Sequence, residues 1–246
     1  MSSVIEPPIQ VVPRHGAPGA PRLGAEIAHV DLREIDDAAF AAIHQAWIDH
    51  QVLLFRGQSL SDRDLIAFSR RFGDLDHAPI QEAGQTIANF MPEIYVVSNV
   101  VENGVAIGSL GYGEAVWHTD MSYLRAPPKA SMLYALEIPP AGGDTSFVDM
   151  YAAFEALPDS LRQRALGLKV KHDGTYNSGG YVRQGVTPTD DPREAPGTLH
   201  PLVCTHPESG RRMLYLGRKG LDLPANLPPA LESPSDNAEI KGNKTQ

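Results

Sequence analysis

His118-Thr119-Asp120 sets an imidazole and a carboxylate two residues apart. On a strand, residues i and i+2 share a face, so both side chains can aim at one point. Two histidines and one carboxylate on one face of an octahedron suit non-haem Fe(II), with the remaining positions open to small ligands. The triplet alone is a weak signal, because a surface His–Asp pair has the same spelling. Its neighbours add to it. Trp117 before the triplet and Ser122-Tyr123 after it place the motif on a strand edge beside an aromatic wall.

Such a pair needs a rigid host. At 246 residues and 42% hydrophobic, the chain can bury a sizeable core in one large β-type domain or two small ones. Its 22 glycines and 21 prolines cut it into short segments, which disfavours a helical bundle and favours short strands joined by turns. The net charge of −9 argues against a duplex-binding surface. A single cysteine, Cys204, leaves no intramolecular disulfide and fits a reducing compartment. The N-terminus carries no apolar h-region and no apolar run is long enough to span a bilayer. Cytoplasmic residence, with no nucleic-acid and no membrane partner, is the expectation.

Strands are expected at 9–12, 25–30, 51–56, 94–101, 130–136, 145–148, 169–172, 202–205 and 212–216. The last two pair across Pro207-Glu208-Ser209-Gly210. Helices are expected at 36–50, where Phe40, Ile43 and Trp47 recur at helical spacing, and after Ser61, an N-cap with Asp64 as its partner. Two more are expected at 151–157 and 159–166, parted by Pro158. Gly104 to Gly113 reads as a glycine-rich loop. Gly174 to Thr198 reads as a long polar loop of the kind that serves as a lid. The segment from Leu221 onward reads as mostly irregular.

Four blocks together resemble the TauD/TfdA (taurine dioxygenase-like) family. The first is His50-Gln51-Val52-Leu53-Leu54-Phe55-Arg56 with Arg71-Phe72-Gly73-Asp74-Leu75. The second is Trp117 to Tyr123 with Pro127-Pro128. The third is Gly142-Gly143-Asp144-Thr145. The fourth is His200-Pro201-Leu202-Val203 with Thr205-His206-Pro207 and Gly210-Arg211. The resemblance runs in order over roughly residues 9 to 218. It implies a mainly β chain with flanking helices, a double-stranded β-helix (jelly roll). It implies Fe(II), 2-oxoglutarate as cosubstrate and O2, with His118 and Asp120 as iron ligands. Thr145 would hydrogen-bond a 2-oxoglutarate carboxylate, although a β-branched strand residue with a satisfied hydroxyl would look the same. The implied reaction hydroxylates a small organic substrate, often an anionic one, while 2-oxoglutarate is decarboxylated to succinate. Relatives commonly self-associate, so a homo-oligomer is what the resemblance suggests.

The chain departs from the family late. A second metal-binding histidine and a 2-oxoglutarate-binding arginine are expected from a late strand pair. No histidine follows Gly217 and no arginine follows Arg218. The expectation is therefore a dioxygenase domain over residues 1–220 with an atypical tail over 221–246, and a jelly roll lacking its last strands. The alternative is a jelly-roll relative without the distal histidine and arginine, binding iron poorly and turning over little. His172, His200 and His206 read as structural rather than as substitute ligands. Asn99, at a strand end ahead of the motif, and Tyr112 and Glu114, on the loop before Trp117, are candidates to face substrate. Each reads equally or better as a plain loop residue.

Overall fold

The computed structural model describes residues 9–14, 23–77, 91–106, 117–177, 182–183, 185–216 and 239–241. The chain divides into two compact units. The first is Met1–Leu75, Ala130–Ala152 and His206–Arg211; the second is Asp76–Lys129, Ala153–Thr205 and Arg212–Gln246.

In the first unit β1 (Gln10–Pro13) runs antiparallel to β2 (Ala25–Ala28), with Val11 opposite Ile27. β2 runs parallel to β3 (Leu53–Phe55), with Ile27 opposite Phe55. Helix α1 (Asp37–His50) makes the crossover that a parallel pair requires. Its first turn is capped by Asp36, whose carboxylate accepts from the Ala39 N–H at 2.7 Å. Ile43 and Ala46 are buried on the inward face of this helix, and Phe40 packs beside them.

Helix α2 (Asp62–Ser69) opens on the anticipated capping box. Ser61 Oγ accepts from the Asp64 N–H at 3.3 Å, and Asp64 accepts from the Ser61 N–H at 2.8 Å. Ser61→Ala removes half of this reciprocal pair, and a loss of about 1 kcal/mol of stability, seen as a lowered melting temperature, is expected in thermal denaturation. Helix α2 delivers Phe68 to the core, and a 3-10 turn (Arg70–Phe72) delivers Phe72. Phe68 meets Phe40, Phe55 and Phe72 edge-on, with centroids 5.6–6.5 Å apart. Arg71 covers the cluster from outside: it ion-pairs with Asp37 at 2.6 Å, donates to the Ile35 carbonyl, and lies 4.5 Å over the Phe40 ring.

In the second unit β4 (Val101–Glu102) and β5 (Val105–Ala106) form a hairpin. Asn103 and Gly104 both have positive φ, the Asn-Gly turn whose twist suits two antiparallel strands. Helices α3 (Met150–Glu155, reaching across the unit boundary) and α4 (Asp159–Ala165) lead to β6 (Lys169–Asp173). β6 pairs antiparallel with β7 (Gly197–Pro201), setting Val170 opposite His200, and parallel with β10 (Glu239–Lys241). β8 (Val203–Thr205) and β9 (Arg212–Leu214) form the expected antiparallel pair, Cys204 opposite Met213.

Several expected strands differ. Residues 94–100 show strand-like alternation of exposure, yet only Val101–Glu102 joins a ladder. Residues 130–136 and 145–148 join no ladder among the described residues. Leu136 and Ile138 are 86% and 75% exposed. Apolar alternation records a wish to be half-buried; the strand itself needs a neighbour to bond to. Three strands were unexpected. β5 lies in the expected glycine-rich loop, β7 emerges from the end of the polar loop, and β10 lies in the segment expected to be irregular. No helix among the described residues is long and apolar enough to cross a membrane.

Candidate metal centre

The structure places His118-Thr119-Asp120 not on a strand edge but at the entry to a turn that continues through Met121, Ser122 and Tyr123. Met121 takes φ +48°, a left-handed conformation, and the Leu124 N–H donates back to the Met121 carbonyl at 3.0 Å. The turn does the work that strand alternation was expected to do. His118 Nε2 and Asp120 Oδ1 converge to 2.9 Å. Metal–ligand bonds of about 2.1 Å at right angles would separate two adjacent donors by about 3.0 Å. The pair therefore fits two neighbouring positions on one divalent ion. Asp120 keeps 59% of its side chain exposed and His118 24%, which leaves the outer side of the pair open. Among the described residues no third histidine, cysteine, aspartate or glutamate joins them.

Asn99 is in the same unit as the pair, exposed, in the stretch before β4. Thr145 belongs to the first unit and is exposed in a segment without a ladder. Tyr112 and Glu114 lie outside the described residues.

Behind the turn lies a feature that sequence reasoning missed. The His172 ring, 1% exposed on β6, stacks on Tyr215 at 4.8 Å and meets His200 edge-on at 4.9 Å. Among the described residues, neither ring nitrogen of His172 meets a partner at full hydrogen-bond geometry. Burial, reinforced by the His200 imidazole, pulls its pKa down to about 4, against a weaker opposite pull from the Tyr215 backbone. Burial likewise pushes the Tyr215 phenol up to about 12 and raises the Cys204 thiol. Alternation along Lys169–Asp173 could have signalled an inward His172, but nothing in the sequence shows that its ring nitrogens lack a well-placed partner.

His172 gives folding a pH dependence of definite sign. An unfolded histidine titrates near 6.5. As pH falls from about 6.5 to about 4, the unfolded chain binds a proton that the folded chain refuses, so stability is lost across that window and no further below it. The loss amounts to at most about 3 kcal/mol. His172→Phe is expected to flatten the stability profile between pH 6.5 and 4 in chemical denaturation. An unchanged slope would assign the acid sensitivity elsewhere.

An imidazole and a carboxylate converging from one turn are a donor pair whose chemistry suits a non-haem metal ion. Residues 15–236 match the family described as Taurine catabolism dioxygenase TauD, TfdA family. The (S)-phenoxypropionate/alpha-ketoglutarate-dioxygenase of Delftia acidovorans is 32% identical over 227 residues, covering 84% of this chain and 72% of the relative. The alpha-ketoglutarate-dependent sulfate ester dioxygenase of Pseudomonas putida is 33% identical, covering 81% and 65%. The crystal structure of a taurine dioxygenase from Burkholderia xenovorans superposes with a TM-score of 0.61 at 32% identity, covering 86% and 64%. The chain thus spans about two thirds to three quarters of these relatives' lengths. It belongs to the TauD/TfdA family, whose members are 2-oxoglutarate-dependent dioxygenases using Fe(II) and O2.

Proposed function

We propose that this chain hydroxylates a small organic substrate bearing an anionic group, with decarboxylation of 2-oxoglutarate to succinate. The observation that carries the reading is the 2.9 Å convergence of His118 Nε2 and Asp120 Oδ1 on an open turn, in a chain that belongs to this family. His118 and Asp120 would hold the iron. An iron held there would supply dioxygen activation coupled to loss of CO2 from 2-oxoglutarate. The Thr145 hydroxyl would donate to a 2-oxoglutarate carboxylate. Asn99, Tyr112 and Glu114 would contact the substrate. The double-stranded β-helix, with the dioxygenase domain over residues 1–220, is the fold that best accommodates these roles. The likeness to a solved taurine dioxygenase supports it. Cytoplasmic residence and self-association belong to the same reading.

The anionic substrate rests on the phenoxypropionate and sulfate ester relatives. An oxygen-electrode panel tests it, using aryloxy carboxylates, alkyl sulfate esters and their neutral counterparts. Oxygen uptake for at least one anionic compound should exceed that of its neutral counterpart by about tenfold or more, because a site built to pair a charge rejects the analogue lacking it. Equal rates across each pair would sink the anionic assignment.

A second reading is a relative that keeps the fold without the turnover. It is favoured by one observation: among the described residues the metal pair has no third donor. Iron binding without succinate release under every substrate in the panel would select it.

A further inference from the structure

Among the described residues the turn that carries His118 and Asp120 joins no ladder, and its Met121 is held in a left-handed conformation that ordinary side chains avoid. Something outside the turn must fix it. Three contacts from the β6–β7 side converge on the residues just after Asp120. The Tyr123 ring packs so closely on Gly174 that a Cβ there would come within 3.2 Å of it. The Arg183 guanidinium lies 4.4 Å over the same ring. His200 Nε2 lies 2.9 Å from the Leu124 carbonyl oxygen.

Of the three, only the last is directional. A carbonyl accepts and cannot donate, so the Nε2 of His200 carries the proton and donates it. The ring is itself held in place. His172 meets it at 4.9 Å with an 85° interplanar angle, and Tyr215 at 5.3 Å with 86°. Its backbone is set by the β6–β7 register, in which it faces Val170. We propose that His200 is a positioning residue: it transmits the rigidity of the β6–β7 sheet to the turn that aims His118 and Asp120 at one ion. This rests on the reading of those two residues as metal ligands. Outer-sphere groups of this kind commonly govern metal affinity without touching the metal.

The test compares the full chain with His200→Phe, which keeps a ring and loses the donor, and His200→Gln, which keeps an N–H donor. Titration with Mn(II) alone should show affinity weakened about 10- to 100-fold in His200→Phe and largely retained in His200→Gln. A second readout needs no metal. Trypsin cleavage after the exposed Arg125, quantified by mass spectrometry, should be faster in His200→Phe than in the other two chains, because the turn opens locally. A merely structural ring would make the two variants behave alike, so equal Mn(II) affinities and equal cleavage rates in Phe and Gln variants overturn the proposal. So does a Phe variant that matches the unaltered chain in both readouts. An unaltered chain that binds no Mn(II) refutes the metal-ligand reading instead, and the cleavage comparison then decides the role of His200 by itself.

Discussion

An Asp120→Asn chain supplied with Fe(II), 2-oxoglutarate and an anionic substrate releases succinate at least about 100-fold more slowly than the unaltered chain, and a His118→Ala chain does the same. The expectation follows from the donor chemistry. Asparagine has the size of aspartate but offers a neutral amide oxygen in place of a charged carboxylate, and alanine removes the imidazole altogether. With two donors converging at 2.9 Å and no third among the described residues, either substitution removes half of the proposed donor set that those residues supply. Even outer-sphere changes cost metal sites 10- to 100-fold, so losing a ligand should cost at least as much. The fold should not notice. Asp120 is 59% exposed, and stability within about 0.5 kcal/mol of the unaltered chain is expected by thermal denaturation. Unfolding of the variant, or undiminished succinate release, would break the link between the pair and the chemistry.

Gly197→Ala is expected to have the largest effect on folding. Gly197 begins β7 opposite Asp173, at φ +128°, a region that L side chains rarely enter. A Cβ built there collides with the His172 carbonyl oxygen and comes within 3.1 Å of the Gly174 nitrogen. Both obstacles are backbone. The Gly174 N–H is already committed to the Pro196 carbonyl at 2.8 Å, so neither can step aside without parting β6 from β7. Destabilisation on the order of 4 kcal/mol, or failure to fold, is the expected result. Gly167→Ala supplies the control. A Cβ there meets nothing within 4 Å and its φ is not in the left-handed range, so it should be tolerated or slightly stabilising. Urea denaturation of both chains measures the difference, and equal midpoints would contradict the close approach at Gly197.

Much of the first unit was legible because its signals are local. Asp36 caps α1, Ser61 and Asp64 box α2, and the spacing of Phe40 and Ile43 marks the inward face. The β8–β9 pair was legible for the same reason, since a short turn fixes its partner. The Asn103-Gly104 hairpin carried an equally local signal that was absorbed into a supposed glycine-rich loop. Elsewhere the sequence reports propensity and the structure demands partners. Residues 94–100, 130–136 and 145–148 carry apolar residues of the kind strands use, yet among the described residues they join no ladder, and only the adjacent Val101–Glu102 pairs. β7 looked like loop because its neighbour β6 lies across twenty-odd residues of polar chain.

The site shows the same division. The types and spacing of His118 and Asp120 were enough to suggest a metal pair, and they do converge. The route is a turn through a left-handed Met121 rather than a pleat, and no propensity forecasts that. The layer behind it was invisible from sequence. The partners of His172 are Tyr215 and His200, and His200 in turn reaches Leu124, 76 residues away. Such contacts exist only once β6 and β7 are in register.

The proposed binding of one metal ion by His118 and Asp120 is tested most directly by equilibrium titration of Mn(II) into the unaltered chain, His118→Ala and Asp120→Ala, reading free ion by electron paramagnetic resonance. One Mn(II) bound per unaltered chain and lost in both variants is the predicted result. Equal binding by all three chains, or none by the unaltered chain, would contradict it.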